Sequence, residues 1–154
     1  MEPPFPAAQV PSAWDVIDAS RRLHRRIEGR LDDALEELTV SYAQFEVLEL
    51  LTRDRNAHAA ALARRLQVSR QITSRLLAKL ARAGLVDRLP RDGGVRVPIV
   101  TRDGRRRIQL AVDATAPVRR QVRTVSPERL AQFVEIVGDL DAALKPPRRP
   151  WWFD

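Results

Sequence analysis

The feature that most constrains the fold of this chain is a succession of three short amphipathic helices between residues 41 and 83. Apolar residues recur at helical spacing in each segment, so each is expected to bury one face. The helices are predicted from Ser41 to about Arg53, from Ala59 to Leu66, and from Arg70 to about Ala83. Only Gln67-Val68-Ser69 separates the second helix from the third, which is typical of a helix-turn-helix.

Two short extended runs follow the third helix, at Leu85–Leu89 and Val95–Val100. The segment 90–94 between them, Pro-Arg-Asp-Gly-Gly, has strong turn chemistry, so we expect a β-hairpin with a basic tip. Pro98 favours an edge position for the second strand. A helix pair followed by a hairpin makes a winged helix-turn-helix, whose second helix buries one face and offers the other to the major groove of DNA.

The third helix of this set has the residue types that major-groove recognition needs. Ile72, Leu76 and Leu80 are predicted to form its buried face. Arginine can bond the O6 and N7 atoms of guanine, and glutamine can pair with adenine, so the polar positions suit base contacts. The predicted DNA contacts are Ser69, Arg70, Gln71, Thr73, Ser74, Arg75 and Lys79 in the helix, and Arg88, Arg91 and Arg96 in the hairpin.

Longer helices are predicted on both sides of this winged helix-turn-helix. The first, capped by Ser12, is long for a domain of this size, so its apolar stripe favours a partner subunit over ordinary core packing. A helix from Thr101 to about Thr124 should kink or split at Pro117, and a last helix begins at Ser126. The predicted dimer contacts are Leu23, Ile27, Leu31, Phe133, Val137 and Leu140.

Charge is concentrated in the central lobe. The whole chain has a net charge of +7. Residues 53–107 hold 15 basic and 4 acidic residues, a net charge of +11, whereas the remainder of the chain holds 12 basic and 16 acidic residues, a net charge of −4. This asymmetry is expected of a polyanion-binding surface. Three alternatives stay open: a solvated helix face, a helical adaptor that binds protein, and a non-specific nucleic-acid-binding protein. RNA is disfavoured because its deep, narrow major groove does not admit a recognition helix.

Composition excludes several other classes. The 154 residues suit one domain, and the absence of cysteine excludes disulfides and thiolate metal sites. His24 and His58 are isolated, so a structural role is favoured over a metal or effector role, and neither a catalytic arrangement nor a cofactor is predicted. The chain has no apolar run of about 20 residues and no signal-like start, so we expect a cytoplasmic protein that does not bind membranes.

The order and spacing of these motifs resemble the MarR family of bacterial transcription regulators. The segments that carry the resemblance are Leu62–Ser69, Ser69–Leu76, Ala83–Val86 and Val100–Gly104, with Arg88 and Asp92 in the wing. Departures from the family pattern are a wing about two residues short, His58 in place of a Ser or Thr cap, and Pro117. The predicted organisation is mainly α, with an arm at 1–11, a single domain at 12–144 and a tail at 145–154.

Within that domain, residues 41–101 are predicted to form the winged helix DNA-binding lobe with its small β-hairpin wing. Residues 12–39 and 102–144 are predicted to form the helical dimerisation lobe. The resemblance implies a homodimer on palindromic double-stranded DNA, often acting as a repressor. It also implies release by a small aromatic ligand, for which no residues are assigned. The closing Trp151-Trp152 has no predicted role.

Overall fold

The computed structural model describes residues 10–54, 57–90 and 96–145. The predicted arm up to residue 9, the hairpin tip at 91–95 and the tail from residue 146 lie outside the described residues. Two compact units divide between Thr115 and Ala116. The elements, in chain order, are α1 (Ala13–Leu35), α2 (Tyr42–Arg53), α3 (Ala59–Leu66), α4 (Arg70–Arg82), β1 (Val86–Pro90), β2 (Arg96–Val100), α5 (Arg102–Ala114), α6 (Ala116–Val122) and α7 (Pro127–Leu144).

Helix α1 begins with a reciprocal cap. The Ser12 hydroxyl accepts from the backbone N–H of Asp15 at 3.2 Å, and the Asp15 carboxylate accepts from the backbone N–H of Ser12 at 2.9 Å. The hydrogen bonds from Ser12 hold the pKa of Asp15 below its usual range. The helix runs into a single 3₁₀ turn at Glu36–Leu38, after which Thr39 adopts a left-handed conformation with φ of 53°.

The first unit has one hydrophobic core, built from α1, α2, α3, α4, α5 and the two strands. Its largest fully buried apolar side chains come from the apolar stripes of these elements and are Leu35, Val47, Leu48, Leu62, Leu80 and Val86. Leu31 of α1 is also buried, with 9% of its surface exposed. The prediction of Leu31 as a dimer contact is therefore corrected, because its side chain is already covered within the protomer.

The strands pair as an antiparallel hairpin, with Val86 opposite Val100 and Pro90 opposite Arg96. Both predicted strands are confirmed, each with a start one residue later than expected. Val86, Val97 and Val100 are buried, so the base of the hairpin is anchored in the core.

Past the hairpin, the helix predicted from Thr101 to Thr124 is split into α5 and α6, as Pro117 suggested. Thr115 ends α5, and its hydroxyl donates to the carbonyl oxygen of Ala111 at 2.8 Å. Pro117 then lies in the first turn of α6, where the missing proline N–H removes no helical hydrogen bond.

The second unit contains α6 and α7. Helix α7 starts as predicted, with Ser126 accepting from the backbone N–H of Arg129 and Pro127 in the first position. Its apolar residues are largely uncovered: Phe133 is 48% exposed, and Val137 and Leu140 are exposed as well. No residue of α7 is buried.

Candidate nucleic-acid interface

Helices α3 and α4 are joined by a tight three-residue turn. Gln67 ends α3 in a left-handed conformation with φ of 53°, and its backbone N–H donates to the carbonyl oxygens of Ala63 and Arg64. The backbone N–H of Val68 donates to Ala63 at 3.1 Å. Ser69 then caps α4 by accepting from the backbone N–H of Ile72 at 3.2 Å. These hydrogen bonds fix the direction in which α4 leaves the turn.

The outward face of α4 is polar and cationic. Its exposed side chains at helical spacing are Gln71, Ser74, Arg75, Lys79 and Arg82, and Ser69 and Arg70 are exposed in its first turn. Among the described residues, no carboxylate forms an ion pair with any of these cations, whereas Arg53 and Arg65 of the neighbouring helices pair with Glu49 and Asp54. The positive charge of α4 is therefore available to an external anion.

The buried face of α4 differs from the prediction at two of three positions, because Thr73 and Leu77 are buried in place of Ile72 and the partly buried Leu76. Thr73 is fully buried and Ile72 is 46% exposed, while Leu77 and Leu80 complete the buried stripe. The Thr73 hydroxyl donates to the carbonyl oxygen of Ser69 at 3.2 Å, which satisfies its polar group inside the lobe. Thr73 is therefore corrected from a DNA contact to a core residue, because its side chain cannot reach a duplex.

Ile72 is the residue that sequence reasoning missed. It stands at the edge of the polar face in the first turn of α4, close in sequence to Arg70 and Gln71. An exposed β-branched side chain beside exposed polar ones is suited to contact a thymine methyl group. The sequence also contains a second stripe at helical spacing, Thr73, Leu77 and Leu80. This stripe predicts the observed buried face if a threonine is allowed in the core.

The predicted hairpin contacts are placed only in part. Arg88 lies in the middle of β1, opposite Pro98, and Arg96 begins β2, opposite Pro90. Both positions lie on the strands that lead to the hairpin tip. Arg91 lies outside the described residues.

The end of α4 is tied to the base of the hairpin and the start of α5. The Thr101 hydroxyl donates to the carbonyl oxygen of Gly84 at 2.8 Å and accepts from the backbone N–H of Gly104 at 2.9 Å. Gly84 has φ of 69°, the left-handed value that a residue ending a helix needs. A Cβ on Gly104 would lie 2.2 Å from the carbonyl oxygen of Leu85, so only glycine allows this close approach.

Two arginines of α5 and the two histidines make local contacts within the protomer. The Arg105 guanidinium donates to the carbonyl oxygen of Val100 at 2.9 Å, and that of Arg107 donates to the carbonyl oxygen of Leu38. His58 caps α3, its Nδ1 accepting from the backbone N–H of Ala61 at 3.0 Å. His24 lies 3.2 Å from Glu28 on the surface of α1.

Tyr42 and Glu46 form a half-buried pair on α2, which is not part of the cationic face of α4. Burial raises the pKa of Tyr42 to about 12, with a further contribution from Glu46. Burial likewise raises the pKa of Glu46, and the hydrogen bond with Tyr42 partly offsets this. Within the described ranges, no group of three or more His, Asp or Glu side chains could hold a metal ion. None of the helices described there is long and apolar enough to span a bilayer.

Comparison with solved structures shows the same architecture. The regulator SP03579, described as a MarR family transcription regulator, is 25% identical, with a TM-score of 0.74 over 84% of this chain and 87% of its own. Sco5413 from Streptomyces coelicolor, also of the MarR family, is 20% identical, with a TM-score of 0.77 over 85% and 94%. MepR of S. aureus, crystallised as a complex with DNA, is 17% identical, with a TM-score of 0.76 over 87% and 97%.

The fold and the exposed face of α4 define a winged helix-turn-helix protein. The sequence profile of the MarR family matches residues 38–96, which span α2 to the start of β2. No curated protein sequence matches the chain. The profile match over residues 38–96 and the shared fold confirm the resemblance to the MarR family of transcription regulators that the sequence indicated.

Proposed function

We propose that this protein is a transcriptional regulator that recognises duplex DNA with α4. The observation that carries the proposal is the outward face of α4, whose cations have no carboxylate partner among the described residues. An exposed helix of this kind fits the major groove, and the DNA complex of MepR supports the assignment through the shared fold.

Each part of α4 has a proposed role. Gln71, Ser74 and Arg75 read base edges near the start of the helix, and Ile72 contacts a thymine methyl. Ser69 and Arg70 lie at the helix N-terminus, where the helix dipole favours a phosphate. Lys79, further along α4, contacts the backbone phosphates, as do Arg88, Arg91 and Arg96 of the wing.

We propose that the protein binds as a homodimer. Helices α1 and α7 each expose an apolar face, with Leu23 and Ile27 on α1 and Phe133, Val137 and Leu140 on α7. A second copy would cover these faces, and two-fold symmetry would then require a palindromic operator with half-sites about 34–36 Å apart. A dimer bound near a promoter would act as a repressor. The family resemblance also implies that a small aromatic anion releases the protein from DNA.

Selection of bound duplexes from a random library tests recognition, symmetry and spacing together. We expect an enriched palindrome. Arg75→Ala should then weaken binding to that site by about 1–3 kcal/mol, with a smaller loss on random DNA, because a guanine contact is sequence-specific. Arg123→Ala, which removes an exposed arginine from outside the lobe, is the matched control.

The same binding measurements separate the alternatives. Affinity for duplex DNA should fall steeply with salt, since phosphate contacts release counterions. Equal losses on selected and random DNA would make Arg75 a phosphate contact. A library that yields no enriched sequence would indicate non-specific binding, and binding to neither DNA nor RNA would favour the protein adaptor.

A further inference from the structure

Helix α1 and the 3₁₀ turn that follows it carry a charge pattern that DNA recognition does not use. The pattern is antisymmetric about Gly29: four arginines precede Gly29, and an acidic residue follows it at each of the same distances. The pairs stand three, four, seven and eight residues from Gly29 and are, from the nearest outward, Arg26 and Asp32, Arg25 and Asp33, Arg22 and Glu36, and Arg21 and Glu37.

These eight residues are exposed, and with Gly29 they make up what we name the polar seam of α1. Arg22, Arg26, Gly29 and Asp33 are four, three and four residues apart, a spacing that keeps them on one face of a helix. Ile27 is two residues from Gly29, or about 200° around the helix. The polar seam therefore lies opposite the apolar face proposed for the dimer.

We propose that the polar seam binds the polar seam of a second copy, with the two α1 helices antiparallel and the two-fold axis at Gly29. In that arrangement a residue that precedes Gly29 faces the residue that follows it by the same distance in the partner. Every arginine then meets a carboxylate, and no like charges face each other. A parallel pair would instead place arginine on arginine, so the charges select one orientation.

The structure has room for this contact at the centre of the polar seam and along its acidic half. A Cβ built on Gly29 meets nothing within 4 Å, so the point where the two helices would cross is open and has no side chain. The acidic half borders a groove of about 390 Å³ lined by Asp32, Asp33, Glu36 and the segment 39–41. The guanidinium of a partner arginine can form charge-assisted hydrogen bonds to these carboxylates.

This contact goes beyond the proposed function, because it uses a face that neither the DNA nor the apolar dimer contact occupies. It would join one dimer to another. Exposed ion pairs each contribute little and are screened by salt, so the contact is weak in free solution. It becomes effective when DNA holds two dimers on adjacent sites, because the second contact is then intramolecular.

Cysteine cross-linking tests the geometry directly, since the chain contains no cysteine. The full-length Gly29→Cys variant is oxidised without DNA at low salt and analysed on a non-reducing gel. We expect a covalent dimer to form at least about tenfold faster than with Ala19→Cys, an exposed position on the same helix. Two residues 19 would lie about 30 Å apart in the antiparallel pair, because the helix rises 1.5 Å per residue.

Charge reversal in the Gly29→Cys background tests the ion pairs. One variant changes the four arginines of the seam to Glu, and the other changes its four acidic residues to Lys. Each alone should lose the rapid cross-link through like-charge repulsion. An equal mixture should regain it as a heterodimer, because an all-acidic seam then meets an all-basic one. That rescue also shows that both variants are folded.

The proposal would be overturned by equal cross-linking rates for Gly29→Cys and Ala19→Cys, by a mixture that does not restore the cross-link, or by Arg→Glu changes that leave the cross-link intact. If the four Arg→Glu changes abolish DNA binding and leave cross-linking unchanged, the arginines bind nucleic acid instead. Because the cross-link is measured without DNA, a failure of DNA recognition by α4 would not be mistaken for a failure of this contact.

Discussion

The helices of the winged helix-turn-helix and the helices α1 and α7 have equally clear apolar stripes, but they bury them to different extents. Leu48, Leu62 and Leu80 of the lobe are completely buried. On α7, Phe133 and Val137 remain about half exposed. Helical periodicity therefore predicts a helix and its apolar side, whereas the covering of that side depends on tertiary structure and on partners.

The same contrast holds for the charged faces. Arg105 and Arg107 of α5 donate to backbone carbonyl oxygens of the protomer, and Arg53 at the end of α2 pairs with Glu49. The cations of α4 have no such partners among the described residues. The lobe is thus closed on its apolar side and open on its cationic side, which is the arrangement a DNA-binding surface requires.

The largest expected effect separates the two sides of α4. Leu80→Ala should lower the free energy of unfolding by about 2–5 kcal/mol, because it leaves a cavity in a fully packed core. Ile72→Ala on the exposed side should cost much less stability and should weaken binding to a site that contains the contacted thymine. Urea denaturation of the two variants makes the comparison, and equal losses would contradict the observed orientation of α4.

A second prediction concerns the uncovered side of α1. Ile27→Glu should weaken the proposed dimer by about 3 kcal/mol or more, because it places an unpaired carboxylate in an apolar contact. Sedimentation should then show monomers with an intact fold, and Ile27→Leu, which keeps the side chain apolar, should remain dimeric. Leu31→Glu should instead destabilise the protomer, because Leu31 is buried there. A wild-type monomer would contradict the dimer.

The sequence predicted most of the lobe because its signals are local. Caps such as Ser41 and Ser69, the turn residue Gly84 and the helix-breaking Pro117 act within a few residues, and all have the expected places. The assignment of Ile72 and Thr73 failed because the buried side of α4 depends on packing and on the local hydrogen bond from the Thr73 hydroxyl.

The left-handed conformations of Thr39 and Gln67 also have no clear sequence signal, since L residues rarely adopt them. At Thr39 the conformation accompanies hydrogen bonds from Arg107, which is 68 residues away in the sequence. Such long-range contacts are decided by the assembled fold.

A third prediction compares two helical glycines. Gly104→Ala should destabilise the lobe by about 1–3 kcal/mol, because the new Cβ would meet the backbone oxygen of Leu85 and the side chain of Val100. Gly138→Ala, on the exposed α7, meets nothing within 4 Å and should be neutral or stabilising by up to about 1 kcal/mol. Thermal denaturation of both variants is the measurement, and a harmless Gly104→Ala would contradict the close approach.

The smallest effect is expected at Glu46, the half-buried carboxyl of α2. Its pKa is raised in the folded protein, chiefly by burial, so folding favours the protonated form. The favourable contribution is complete below the ordinary pKa of 4.5 and is lost as the pH rises through the raised folded value. Glu46→Gln removes the charge, so the variant should be more stable than the wild type at pH 7, by less than about 1 kcal/mol for a partly exposed group.

The advantage of Glu46→Gln should disappear near pH 4, where the wild-type carboxyl is also neutral. Tyr42→Phe sharpens the test, because the hydrogen bond from Tyr42 lowers the pKa of Glu46. Without it the pKa of Glu46 should rise further, and stability should fall more steeply between pH 4 and pH 7 than in the wild type. Urea titrations at both pH values measure this difference, and a Glu46→Gln variant that is less stable at pH 7 would show that the ionised carboxylate contributes favourably to the fold.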